Sequence, residues 1–176
     1  MAFCNPISIR FGMRIRGVKL QAIEERHWHS IWQIQRDVFI DVSLEPENVL
    51  KSKADNSPET CFVATQGEKV MGYVLSHGWS GVELPKLNRV LATCASSEYL
   101  YLHDLAVSVA ESGRGVGKML VHRLLQVADG LGYSRILLVA VNQADDFWAR
   151  FGFAHRPEIE VDLCYGQGAA AMSLEL

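Results

Sequence analysis

The sequence predicts a single α/β domain over residues 1–176, and three observations predict it. Strand-like alternation and helical periodicity take turns along the chain, with no internal repeat and no low-complexity linker. An apolar segment ending at Val107 passes through a turn bearing Gly113, Gly115 and Gly117 into a helix with an apolar stripe. The run from Arg135 to Val141 is apolar after its first residue and bounded by polar ones, as in a buried parallel strand.

The elements follow in order. Met13 to Val18 alternates as a first strand, and Ile23 to Phe39 carries Trp28, Ile31, Trp32, Val38 and Phe39 at helical spacing. A short helix is expected within Asp41 to Asn56, opening at Glu45-Pro46 because proline is tolerated in a first turn. Thr60–Gln66 and Lys69–His77 are β-rich runs joined by Gly67-Glu68, a hairpin signal. A long loop from about Trp79 to Ser97 then leads to a central strand, Glu98 to Val107. Gly117 to Leu131 reads as a helix striped by Leu120, Leu124, Val127 and Leu131 and ended by Gly130 and Gly132. After the Arg135–Val141 strand come a short helix (Asn142 to Phe151, stopped by Gly152) and two closing strands, near Phe153–Val161 and Ala169–Leu176.

Composition narrows the function classes. A chain of 176 residues, 49% apolar and 21% charged, supports one well-packed core. A net charge of −3 gives no general attraction to nucleic acid or to anionic membranes, so neither is expected as a partner. Cys4, Cys61, Cys94 and Cys164 form no C-x-x-C pair, so no metal or redox site is expected and the thiols read as free and mostly buried. His27 and His29 point apart on one helix, and His77, His122 and His155 lack a partner at ligand spacing. With no signal-like N-terminus and no run of membrane-spanning length, a cytoplasmic location is expected.

The glycine turn reads as a phosphate cradle. Glycines let the backbone pass close to an anion, and the following helix adds its N–H groups and positive dipole end. A P-loop would need Gly at Ser112 and Ser or Thr at Met119, and a dinucleotide fingerprint needs G-x-G-x-x-G where this chain has G-x-G-x-G. Leu105-Ala-Val107 followed after four residues by Ser112-Gly-Arg-Gly-Val-Gly117 resembles the acetyl-CoA signature of the GCN5-related N-acetyltransferases (GNAT), a resemblance to bacterial-type members. Val141-Asn-Gln-Ala-Asp-Asp-Phe-Trp-Ala-Arg-Phe-Gly-Phe153 is similar to the family's V-N-x-x-A-x-x-F-Y-x-x-x-G-F.

This resemblance implies the GNAT fold: a mixed, mostly antiparallel sheet whose two central parallel strands splay apart to admit the pantetheine arm, with helices on its faces. It implies acetyl-CoA as co-substrate, with backbone contacts at Leu105, Ala106 and Val107. The pyrophosphate falls to the turn of Ser112, Gly113, Arg114, Gly115, Val116, Gly117 and Lys118, beside Asn142, Phe147 and Trp148. Two departures stand out: Ser112 replaces the usual Arg or Gln, and Trp148 replaces the usual Tyr, whose hydroxyl protonates the leaving thiolate.

Only a neutral amine attacks a thioester, so a base helps near pH 7. Tyr101-Leu-His-Asp-Leu-Ala-Val107 resembles the corresponding strand of arylalkylamine and polyamine N-acetyltransferases, where a His or Glu matching His103 removes the proton. Strand alternation puts Tyr99, Tyr101, His103 and Leu105 on one face and Asp104 in the opposite layer. With Trp148 unable to supply a proton, Tyr165 and Tyr101 are the phenols available as acid. Asp37, Asp41, Glu45 and Glu47 read as a solvated face that could also select a cationic amine. The expected activity is acetyl transfer from acetyl-CoA to a primary amine by direct attack. The acceptor is a small-molecule amine or a protein amine, and a homodimer is left open. A CoA-binding regulatory module and an acyltransferase for longer acyl groups are the alternatives.

Overall fold

The computed structural model describes residues 15–40, 42–81, 83–91 and 97–176. Its centre is a seven-stranded sheet of β1 (Val18–Ala22), β2 (Phe62–Gln66), β3 (Lys69–Trp79), β4 (Tyr99–Val107), β5 (Arg135–Ala140), β6 (Ala154–His155) and β7 (Ala170–Glu175). The spatial order is β1-β2-β3-β4-β5-β7-β6, and among the described strands only β4 and β5 run parallel. The helices are α1 (Trp28–Val38), α2 (Glu47–Asn56), α3 (Val116–Gly130) and α4 (Asp145–Ala149). This is the mixed α/β sheet, splayed at its parallel pair, that the sequence predicted.

Each face of the sheet is sealed by helices whose apolar residues recur at helical spacing. On one face Leu120, Val121, Leu124 and Ala128 of α3 and Trp148 of α4 pack on Phe62, Val74, Leu102, Ile136 and Met172. On the other, Trp28, Ile31 and Ile34 of α1 and Leu50 of α2 cover Val63, Val70, Tyr73, Leu75 and Ala106. Leu131 lies past the end of α3 and is exposed, so it is not part of the stripe. The helix closes with Gly132 N–H on Asp129 O and Tyr133 N–H on Ala128 O, Gly132 taking φ +80°.

Several boundaries differ from the sequence reading. The first strand begins at Val18, because Gly17 turns the chain at φ +77°; Met13 lies outside the described residues. The segment preceding α1 opens with a 3₁₀ turn at Glu25–His27. Pro46 is extended at ψ 153°, so α2 starts one residue later than expected. The strand anticipated over Phe153–Val161 is only two residues long, because Pro157 cannot donate to a ladder and the chain turns there, with Ile159 N–H on Arg156 O.

Candidate active site

The site arises from one irregularity in β4. Leu75 pairs with Asp104 and Ser76 with Leu102, so His103 is an extra residue on β4, a β-bulge. Simple alternation therefore fails at this position. Tyr101, His103, Asp104 and Ala106 serve the α1 side, whereas Leu102, Leu105 and Val107 pack against the α3 side. This corrects two expectations: Asp104 is not in the layer opposite His103, and Leu105 does not share its face.

The parallel pairing of β4 with β5 covers only Tyr99–Leu102 against Arg135–Leu138. Past the bulge, β4 stays on β3 while the end of β5 pairs with β7 alone. The cleft between them is lined by Leu102, His103, Leu105, Leu138, Val139, Asn142, Phe147, Trp148 and Tyr165, and roofed by Val38, Phe39 and Glu45. Ser108 N–H bonds Met71 O, and the Ala106 carbonyl faces Gly72 on β3. By alternation the backbone groups of Leu105 and Val107 point to the other side, toward the cleft, where none of the described strands takes them up.

At the far end of β4 the glycine turn opens α3. Gly113 and Gly115 hold φ +75° and +83°, a region where side chains are strained. Gly117 is different: it lies inside the first turn of α3, and a Cβ there would meet only Phe147 and Val107 at 3.5 and 3.6 Å. Neither backbone nor packing demands this glycine, although it weakens a helix. The first helix bond is Met119 N–H to Gly115 O, and among the described residues no side chain caps the free N–H groups before it. These features fit a phosphate-bearing ligand pressed against the backbone. Buried Glu111 braces the turn by accepting from Arg114 and, at 2.5 Å, from Lys69. Lys69 foremost, with Arg114, holds the Glu111 carboxyl below its usual range despite burial. Ser112 and Lys118 are exposed, and Val116 is buried in the core.

His103 Nε2 is hydrogen-bonded to Glu45 Oε2, their side chains 2% and 3% exposed. Glu45 also accepts from Asn88 N–H at 2.6 Å and from Lys53 Nζ at 3.4 Å, and Lys53 donates again to Arg89 O. Burial is the largest influence on the Glu45 carboxyl and pushes it up. The His103 bond and charge, Lys53 and the Asn88 N–H together outweigh it, so the group lies below its usual range and is ionised. Burial lowers Lys53, against the opposing charges of Glu45 and Asp104. The acidic cluster is thus not uniformly solvated: Asp37 and Glu47 are exposed, Glu45 is buried, and Asp41 lies outside the described residues.

Tyr165 O–H donates to the Pro85 carbonyl at 2.8 Å, which obliges Tyr101 O–H to donate to Tyr165 at 3.1 Å. Burial raises both phenols, so both are protonated at neutral pH. Tyr73 O–H donates to Asp104 at 3.1 Å, and burial raises the Asp104 carboxyl. His77, without a partner at ligand spacing in the sequence, sits 5.6 Å from Tyr101 and 6.1 Å from His103 between ring centres.

The structure brings His103, Leu105, Asn142, Phe147, Trp148 and Tyr165 to one cleft. Tyr101 stands behind Tyr165, and Ala106 is buried under α1. Trp148 packs edge-on to Phe147 and Phe153 as part of the core. Asn142 and Gln143 adopt φ +52° and +58°, and Asn142 Nδ2 ties the end of β5 to Val38 O. The sequence reading missed Glu45 as the partner of His103, and missed Lys53 and His77. No spacing signal joins Glu45 to His103, 58 positions away. Cys61 is buried and its thiol pushed up to about 12 by burial; Cys164 is half-buried, and Cys4 and Cys94 lie outside the described residues. Among the described residues no helix is long and apolar enough to cross a membrane.

Residues 28–153 match the sequence model of the "Acetyltransferase (GNAT) family", and the chain belongs to that family of acyl-transferring enzymes. Its fold is similar to Ard1 from Thermoplasma volcanium (TM-score 0.71, 15% identity, 91% of this chain and 98% of that one). It is similar to Naa50 of Arabidopsis thaliana in complex with the bisubstrate analogue CoA-Ac-MVNAL (TM-score 0.67, 14% identity, 91% and 99%). It is likewise similar to Rv2747 of Mycobacterium tuberculosis in complex with CoA and NLQ (TM-score 0.63, 20% identity, 90% and 99%). No curated protein matches the sequence.

Proposed function

We propose that the protein transfers the acetyl group of acetyl-CoA to a primary amine by direct attack, with His103 taking the amine's proton. One observation carries this reading. The gap between β4 and β5 joins unpaired backbone at Leu105 and Val107, an uncapped glycine-rich helix start and a buried Glu45–His103 pair. Acetyl-CoA, when bound, supplies the thioester that the amine attacks.

The chain's own groups divide the remaining work. Backbone N–H and C=O groups at Leu105 and Val107 hold the pantetheine arm as a further strand would. N–H groups of the turn at Gly113–Lys118 hold the phosphates. Glu45 fixes the His103 ring and balances the charge it acquires, which favours proton transfer from the amine. Tyr165, protonated and lining the cleft, turns its O–H from Pro85 O toward the departing thiolate, while the Tyr101 hydroxyl donates to its oxygen. Trp148 shapes the wall and moves no proton.

A small-molecule amine is the first choice of acceptor. An N-terminal amine is the second reading, favoured by the likeness to Naa50 with its peptide-bearing analogue. The test is thiol release from acetyl-CoA with panels of small amines and short peptides, followed by His103→Ala. Replacement of His103 should lower kcat about 10²-fold or more at pH 7 and spare acetyl-CoA binding. An unchanged rate and pH profile would remove His103 from the chemistry. Stabilisation by CoA with no product from any amine would instead make the protein a CoA-binding module. Faster turnover with longer thioesters would make it a longer-chain acyltransferase.

A further inference from the structure

One buried carboxylate in this site serves two bases. Glu45 accepts from Lys53 Nζ at 3.4 Å through each of its oxygens and is also hydrogen-bonded to His103 Nε2. All three side chains are 3% exposed or less, so any charge among them must be balanced within the protein. Which base carries the charge follows from the other partners of each.

Lys53 Nζ has three acceptors around it, both oxygens of Glu45 and the Arg89 carbonyl at 3.1 Å. An ammonium has three N–H groups to meet them, whereas a neutral amine would turn its lone pair on one of them. His103 is the reverse case. Its Nε2 has the Glu45 carboxylate, but its Nδ1 is buried and, among the described residues, has no hydrogen-bond partner. A second proton on the ring would create a charged N–H with nothing to accept it, which costs more than a bare lone pair. An ammonium also starts about four pH units above an imidazole in its hold on a proton. Burial lowers Lys53 from that start, and the charges of Glu45 and Asp104 oppose the loss.

We propose that Lys53 is a positioning residue for the transfer: its ammonium is the counter-charge of Glu45 in the resting enzyme, which leaves His103 with one proton and ready to take the amine's. The inference rests on the reaction proposed above. The other groups around the pair do not supply that charge. His77 on β3 is neutral at pH 7, burial having driven it down to about 4, and Tyr101 and Tyr165 are protonated phenols. Asp104, bonded to Tyr73, attracts both His103 and Lys53 and so does not choose between them. Without the Lys53 charge, Glu45 would be an unbalanced buried anion, and His103 would hold a second proton to pair with it. The base would then be occupied before the amine arrives.

The experiment compares Lys53→Gln, whose amide still donates but carries no charge, with Lys53→Arg, which keeps the charge. One readout is the NMR titration of the His103 ring nitrogens, assigned by their loss in His103→Ala, which needs no substrate. The other is the pH dependence of kcat/KM for the most active amine of the panel at saturating acetyl-CoA. In Lys53→Gln the His103 midpoint and the acidic limb of activity should both move up by about one pH unit or more, a loss of about 10-fold or more on the limb that recovers at higher pH. In Lys53→Arg neither should move. A lysine that only pins the Arg89 carbonyl would lower kcat/KM at every pH and leave the midpoint in place. An unmoved midpoint in Lys53→Gln, an equal shift in Lys53→Arg, or a doubly protonated His103 at pH 7 in the unaltered protein would overturn the inference; the last measurement decides if Lys53→Gln does not fold. A shifted midpoint in a protein whose His103→Ala variant keeps full activity would uphold the charge arrangement and overturn the reaction alone, so the two failures are distinguishable.

Discussion

Glu45 and His103, 58 positions apart, form a hydrogen-bonded pair sealed from solvent on a β-bulge that turns His103 toward the α1–α2 connection. Asn88 N–H and Lys53 hold the carboxylate in place, so the imidazole orientation is set by three distant segments.

Glu45→Gln should lower kcat about 10-fold or more while leaving KM for acetyl-CoA unchanged, since the amide cannot balance an imidazolium. The stability effect has a definite sign. The folded carboxyl lies below its ordinary value of 4.5, so its contribution is complete above that pH and is lost as pH falls through the folded value. Urea denaturation from pH 7 down to about pH 3 should show a shallower acid loss in the Gln variant than in the parent.

Gly117→Ala separates ligand space from protein architecture. The new methyl meets only ordinary contacts in the first turn of α3, so the unliganded protein should gain about 0.5–1 kcal/mol in urea denaturation. Acetyl-CoA binding, measured by calorimetry, should weaken about 10-fold or more because the methyl occupies backbone that the phosphates approach. Unchanged affinity would place the ligand elsewhere.

Gly113→Ala should behave in the opposite way in the free protein. Its φ of +75° strains a side chain although nothing lies within 4 Å of the added Cβ. A loss of about 1 kcal/mol is expected, measured in the same denaturation series.

Tyr73→Phe removes the hydroxyl that donates to Asp104, whose carboxyl is already raised by burial. A loss of about 1–3 kcal/mol should follow. Combining it with Asp104→Leu should cost less than the sum of the single changes, which a double-mutant cycle would measure.

Tyr165→Phe should lower kcat about 10-fold and leave acetyl-CoA affinity intact. The defect should shrink with acetyl thioesters of more acidic thiols, which need less help to depart. It also leaves the Pro85 carbonyl and Tyr101 without their buried partner, so a lower Tm should accompany it.

Much of this molecule was legible in one dimension because the relevant signals are local. The apolar stripe of α3, the turn at Gly113 and Gly115 and the buried run of β5 each follow from residue spacing and backbone freedom. The first strand was misplaced because Gly17 begins a turn inside an alternating run, and the strand after Phe153 was overextended because Pro157 ends pairing at once. Asp104 was put on the wrong face because alternation assumes an unbroken register, and the extra residue at His103 breaks it.

The order of elements, the glycine turn and the presence of a histidine in the central strand could be read from the chain alone, since these depend on neighbours within a few positions. Folding in three dimensions was needed to bury Glu45 against His103 and Lys53 against Glu45, to set the His77 ring 6.1 Å from that of His103, and to bring Tyr165 to the cleft. Those contacts depend on which strands pair, where the pairing of β4 with β5 stops and how the bulge aims one imidazole, and none of these is encoded in local periodicity.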